Sequence, residues 1–188
     1  SIGSELCRQM ARFHPVAIVG YDIAETALFE LDLEMKRRFP ETLFLPEVGS
    51  IRERQRVAEA LESCGPSIVY HAAAYKHVPM MEAHVFEAVE NNVFGTWTLA
   101  QAAGEHGVED FVMISSDKAV RPVSVMGVTK RVAELVVLAL QEERAGLKGD
   151  GRLKACPTFV SVRFGNVLGS NGSVIPLFKR QIAAGGPV

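Results

Sequence analysis

The chain has 188 residues, 48% of them hydrophobic, and 20 Lys+Arg against 22 Asp+Glu give a formal net charge of -2. That is the composition of one packed globular domain over 1–188, which excludes a disordered or fibrous class and offers no charge excess for binding nucleic acid. No run reaches the roughly 18–20 apolar residues of a membrane span, and no signal peptide pattern opens the chain. Cys7, Cys64 and Cys156 are scattered, without metal-site or disulfide spacing. No metal is therefore expected, and a reducing cytoplasm fits. Because the chain opens on Ser1 and stops at Gly185-Gly186-Pro187-Val188, where a new element would begin, it reads as a fragment.

In chain order, a small-residue turn at Ser1-Ile2-Gly3-Ser4 leads into a helix over 5–13, and an apolar run over 16–22 closed by Asp22 reads as a buried strand. A helix over 25–39, a strand over 42–45, a helix over 51–63 and a strand over 67–71 follow. The pattern continues with a helix over 83–106, a strand over 110–115, a helix over 125–143, a glycine-rich loop over 146–151 and a β-branched strand over 158–163. Strict alternation of strand and helix predicts an α/β fold, a doubly wound parallel sheet of Rossmann-like type, truncated at both ends.

In such sheets ligands bind outside the carboxyl ends of the strands, so the residues there carry the functional argument. Gly3, with Ile2, fits the end of a dinucleotide-binding loop, although an ordinary helix start capped by Ser1 or Ser4 explains it too. Asp22 ends its strand roughly 20 residues after that loop, where an acid binds the adenosine ribose. No Arg follows to welcome a 2′-phosphate, so NAD is expected, with NADP the secondary choice; the alternative for Asp22 is a plain turn. Ala72, Ala73 and Ala74 leave backbone open for a cofactor, while Tyr75, Lys76 and His77 also fit a solvated loop. The sharpest constellation is Ser115-Ser116-Asp117-Lys118, hydroxyl, carboxylate and amine side by side at a strand end, with Lys130 downstream on a helix.

These residues resemble the nucleotide-sugar 4,6-dehydratases of bacterial polysaccharide biosynthesis, in the extended short-chain dehydrogenase/reductase superfamily. The resemblance rests on Ser1 to Leu6, His71 to Pro79, Asn91 to Thr96, Ser116 to Val120 with Met126 to Arg131, and Arg163 to Ser170. It implies a redox-neutral elimination on a nucleotide-activated sugar: hydride passes from C4 to NAD and returns to C6, while the C5 proton and the C6 hydroxyl leave. By position Ser116 would bond the C4 oxygen, Asp117 would be the acid at C6, Lys118 the base at C5, and Lys130 would bind the nicotinamide ribose. The resemblance also assigns Asn92 to the cofactor site, and Lys76, His77, Arg163 and Asn166 to the substrate. For Arg163 the alternative is an ion pair with a nearby carboxylate.

Two positions depart from the wider superfamily. Met126 stands where a catalytic tyrosine is usual, and a thioether moves no proton. Ser50 stands where an adenine-contacting Asp is common. The Met is typical of the long, membrane-anchored family members that make UDP-4-keto-6-deoxy-N-acetylglucosamine. The expectation is thus a homo-oligomeric UDP-N-acetylglucosamine 4,6-dehydratase, cytoplasmic, at the inner face of the membrane only through segments outside this chain. A C4 epimerase and a catalytically silent NAD-binding scaffold are the alternatives. With a first strand and a sugar-binding region expected beyond its ends, the chain by itself is not expected to be active or stably folded.

Overall fold

A computed structural model of the chain describes residues 1–149, 157–167 and 174–187, with the side chains at 146–149 and 174–177 left aside. Cys156, Leu168, Gly169 and Ser170 lie outside the described residues. The elements are α1 (Ile2–Ala11), β1 (Ala17–Asp22), α2 (Glu25–Arg38), β2 (Leu43–Val48), α3 (Arg54–Cys64), β3 (Ile68–His71), α4 (Val78–Ala83), α5 (Val85–Val89), a π-helical turn (Glu90–Phe94) and α6 (Gly95–Glu105). They continue with β4 (Asp110–Ile114), a 3₁₀ turn (Asp117–Ala119), α7 (Val125–Gly149), β5 (Thr158–Val162) and α8 (Val174–Ala183).

All strand pairing is parallel, in a two-stranded sheet β1-β2 and a three-stranded sheet β3-β4-β5. The Rossmann-like α/β class is therefore borne out. Among the described residues no ladder joins β1 to β3, and α1 packs on both strands.

Several boundaries differ from expectation, β2 running over Leu43–Val48 rather than 42–45 and α3 starting at Arg54 rather than 51. α1 starts at Ile2 because the Ser1 hydroxyl accepts the Ser4 N–H at 3.1 Å and caps the first turn. The single helix over 83–106 is broken into α5, the π turn and α6, and α4 precedes it, with Pro79 in the first turn of α4. The loop over 146–151 is helical through Gly149, its remaining two residues lying outside the described set.

The main core joins α3, α6, α7 and one face of the three-stranded sheet. Phe111 and Phe159, register partners on β4 and β5, meet with ring centroids 5.4 Å apart, and Val57, Leu61, Ala103, Val137 and Leu140 close around them. Period-two alternation along β3 puts His71 on the same covered face as Val69, 5.9 Å from the Phe111 ring. The buried stripe of α7 runs Met126, Thr129, Lys130, Ala133, Glu134, Val137, Leu140, a helical repeat that carries two charged groups into the interior. Ala11, Leu28, Leu31, Met35 and Phe44 form a second core over β1-β2. No helix among the described residues is long and apolar enough to cross a membrane.

Candidate active site

Because β3, β4 and β5 are parallel, their carboxyl ends deliver residues 72–77, 115–119 and 163–167 to one edge. Pairing continues past the strands: the Ser115 N–H reaches Val162 O at 2.7 Å and the Asp117 N–H reaches Phe164 O at 3.1 Å. These bonds bring three of the expected residues together. Lys118 Nζ donates to Asp117 Oδ1 at 3.1 Å and to Asn166 Oδ1 at 3.2 Å. Ser116 Oγ donates to Asp117 Oδ1 at 2.9 Å and accepts the Lys118 N–H at 3.2 Å, capping the 3₁₀ turn. The Lys118 and Ser116 hydrogen bonds hold the Asp117 carboxyl below its ordinary range.

Gly127 backs this turn. A methyl group built there would lie 2.5 Å from the Lys118 carbonyl oxygen, so only glycine lets α7 approach so closely. α7 itself begins under the Glu82 carboxylate, which accepts the Val125 N–H at 2.8 Å, and the Ser124 hydroxyl, which accepts the Gly127 N–H at 3.1 Å.

Lys130 lies 5% exposed on the buried stripe, and burial lowers its ammonium to about 8 against the opposing pull of Glu134. Met126 is 4% exposed and turned into an apolar cluster with Met81 and Ala88. It takes no polar part, as its thioether implied. Lys76 and His77 line a cavity of about 330 Å³ with Tyr75, Met80, Met81, His84 and Glu87, so Met81 separates that cavity from Met126.

Two of the expected residues are bonded within the protein. Asn92 is fully buried, with Oδ1 accepting the Tyr75 N–H at 2.8 Å and Nδ2 donating to Tyr75 O at 3.0 Å and Thr129 Oγ1 at 3.1 Å. Its amide brackets the loop after β3 onto the π turn and α7. Arg163 takes its alternative reading: it pairs with Glu134 through Nε at 2.8 Å and Nη2 at 2.6 Å. The bidentate pair commits its guanidinium to the protein rather than to a diphosphate.

On the cofactor side, Ile2 and Gly3 occupy the first turn of α1, where backbone N–H groups have no intrahelical acceptor. Asp22 is exposed at the end of β1, its Oδ1 accepting the Ala24 N–H at 2.9 Å, so the turn role is present at the position a ribose would reach. Ser50 accepts the Arg52 N–H at 3.2 Å through Oγ and the Tyr21 hydroxyl at 3.1 Å through its carbonyl. Ala73 is exposed beside half-buried Ala72 and Ala74, an open apolar ribbon against which a flat ring can lie. With the buried Lys130 ammonium, this donor set fits a dinucleotide.

Reading the sequence missed Glu134, His71 and Thr96. His71 Nε2 lies 2.8 Å from Thr96 Oγ1, which donates in turn to Asn92 O at 2.7 Å. Glu134 stands four residues after Lys130, a spacing that already placed it on the buried stripe.

Comparison with known proteins gives the family of the chain. CapD, the capsular polysaccharide biosynthesis protein of Staphylococcus aureus, is 46% identical over the whole chain, which covers 30% of it. UDP-glucose 4-epimerase of Rickettsia rickettsii is 35% identical over 94% of the chain and 50% of its own length. The inverting UDP-N-acetylglucosamine 4,6-dehydratase of Campylobacter jejuni is 32% identical over 94% of the chain and 48% of its own length. The chain thus spans half or less of these curated relatives. Among solved structures, Pen from Bacillus thuringiensis superposes with a TM-score of 0.84 at 34% identity, over 97% of this chain and 54% of that one. DesIV, the dTDP-glucose 4,6-dehydratase of Streptomyces venezuelae with NAD bound, gives 0.72 at 26% identity, over 100% of this chain and 60% of that one. The family model for "Polysaccharide biosynthesis protein" matches residues 1–188, and the chain belongs to that family.

Proposed function

We propose that the protein catalyses NAD-dependent 4,6-dehydration of a UDP-N-acetylhexosamine, UDP-N-acetylglucosamine by first choice. The observation that carries this reading is the Asp117–Lys118–Asn166 cluster at the ends of β4 and β5, paired with a Met126 that cannot move a proton. NAD, when bound, supplies the oxidation at C4 and the later reduction at C6; Asp22, the Ala72–Ala74 ribbon, the start of α1 and Lys130 would hold it.

The chain's own residues handle the protons. At rest Asp117 and Lys118 form an ion pair with a 3.1 Å contact. Passing one proton from Nζ to Oδ1 yields a neutral amine and a neutral acid, the pair that elimination requires, and exclusion of water by bound substrate favours that neutral form. The amine takes the C5 proton, the acid protonates the departing C6 hydroxyl, and the ion pair is restored. Lys118 then returns its proton to C5, and the proton that the C4 hydroxyl gave up to solvent as its hydride left is regained by the Lys118 amine, which restores the ion pair with one water lost. Ser116 donates to the C4 oxygen, and Asn166 aims the amine.

Epimerisation at C4 is the second reading, favoured by the 35% identical Rickettsia relative. Incubating the intact protein with UDP-N-acetylglucosamine and following it by NMR separates the two. A 4-keto-6-deoxy product is expected. An epimer that keeps its C6 hydroxyl would overturn the proposal, and no turnover would support a silent scaffold.

A further inference from the structure

The buried stripe of α7 carries two charged side chains one turn apart, Lys130 and Glu134, each 5% exposed. The mechanism above uses Lys130 and leaves Glu134 without a role. A carboxylate removed from water is tolerated only where donors surround it, and Glu134 is filled on both oxygens. Oε1 accepts Ser115 Oγ at 2.5 Å and Arg163 Nε at 2.8 Å; Oε2 accepts Arg131 Nη1 at 3.0 Å and Arg163 Nη2 at 2.6 Å. Burial raises its carboxyl, but the bonds from Arg163, Ser115 and Arg131 outweigh that and bring it to about 2, so it is an anion throughout the neutral range.

Two of these donors sit at the roots of the reactive loops. Ser115 immediately precedes Ser116, Asp117 and Lys118; Arg163 immediately precedes Phe164, whose carbonyl receives the Asp117 N–H, and lies three residues before Asn166. One carboxylate therefore pins both loops and α7 to one another. It is also the anion nearest in sequence to Lys130 on that face. From β3, His71 faces the same lysine as a neutral ring, held near 3 by burial and by Lys130 itself, so it contributes no opposing charge. Arg131 and Arg163 face Glu134 and neutralise part of it.

We propose that Glu134 is a positioning residue, whose buried carboxylate sets the separation of the Lys118 and Asn166 loops through Ser115 and Arg163 and holds Lys130 as a cation on the cofactor side. The inference rests on the dehydratase reading for what the loops and Lys130 do, but its test does not depend on turnover. The Lys130 side-chain Cε resonance, assigned with Lys130→Arg, is followed by NMR from pH 6 to 10 in the intact protein. Glu134→Gln preserves the shape of the side chain and removes its charge; the Lys130 midpoint is expected to fall by about one pH unit, a roughly tenfold weaker hold on the proton. NAD affinity is expected to lose its plateau at correspondingly lower pH. Arg163→Met leaves Glu134 less neutralised, and the midpoint is expected to rise.

Midpoints unmoved in both folded variants would overturn the proposal. If Glu134→Gln does not fold, Arg163→Met decides alone, and an unchanged or lowered midpoint rejects the idea. Opposite shifts in a protein that makes no 4-keto-6-deoxy sugar would instead support Glu134 and remove the dehydratase reading.

Discussion

Burial of His71 predicts a loss of stability in mild acid. Thr96 Oγ1 gives its hydrogen to Asn92 O, so it accepts from His71 and fixes the Nε2–H tautomer, leaving Nδ1 buried and without a partner among the described residues. A proton on Nδ1 would place an unpaired cation beside Phe111 and toward Lys130. Burial, with the Lys130 charge second, accordingly lowers the ring from 6.5 to about 3. As pH falls through 6.5 the unfolded chain takes up this proton and the folded chain does not. The stability contribution is therefore complete above 6.5 and is lost progressively toward 3. At about 1.4 kcal/mol per pH unit the loss is about 2 kcal/mol by pH 5 and approaches about 5 kcal/mol near pH 3. Against a typical total of about 5–15 kcal/mol this is a large share. Urea unfolding of the intact protein at pH 7.5, 6 and 5 measures the slope, and His71→Asn, less stable at neutral pH but unable to titrate, should lack that component. Equal slopes in parent and variant between pH 7.5 and 5, or an NMR midpoint for His71 near 6.5, would refute the reasoning.

Gly127→Ala drives a methyl group into the Lys118 carbonyl and is expected to lower turnover at least about tenfold with little change in NAD affinity, as read by steady-state kinetics and cofactor titration. Asn92→Leu strands the part-buried Tyr75 N–H and carbonyl and should cost about 1–3 kcal/mol in denaturant melts. Because a carboxylate repels a 2′-phosphate, the intact protein should bind NAD at least about tenfold more tightly than NADP, and Asp22→Ala should narrow the gap; equal affinities in the parent would remove Asp22 from the site. Lys118→Met should abolish C5 deuterium exchange and lower turnover roughly 10²–10⁴-fold, whereas Met126→Ala should cost about 2–5 kcal/mol of stability and leave exchange in the folded fraction nearly intact.

What the sequence made legible was whatever depends on local pattern. Apolar runs closed by turn residues placed β1, β3 and β4, β-branched content placed β5, only the first half of β2 was expected, and the strand ends placed Ser116, Asp117 and Lys118 on one edge. What it hid depends on three-dimensional pairing. Arg163 reads equally as a substrate ligand or an ion-pair partner until Glu134, 29 residues earlier, appears against it. Asn92 could be assigned to a cofactor because nothing in its neighbourhood reveals that a π turn rotates it into the interior. The fracture of the helix expected over 83–106 escaped for the same reason, since Glu90 to Phe94 continues the helical apolar spacing. His71 closed a strand in the sequence, but its value as a buried neutral ring emerges only from period-two alternation combined with knowledge of which sheet face is covered.

The burial of Met126 bears directly on which sugar chemistry the edge supports. With position 126 turned into the cluster of Met81 and Ala88, α7 places no hydroxyl where the wider superfamily has its tyrosine. On the proposed reading, proton transfer at C5 and C6 falls to the turn after β4. Inverting a sugar at C4 requires one group that takes and returns a single proton. Elimination across C5 and C6 requires two groups of opposite character on neighbouring carbons. Asp117 and Lys118 supply such a pair at 3.1 Å, close enough to exchange the proton that turns each into its reactive form, and Asn166 is bonded to the amine alone. A neighbouring acid and base, with Asn166 bonded to the amine, suits elimination across C5 and C6, which is why dehydration is the reading proposed for this edge.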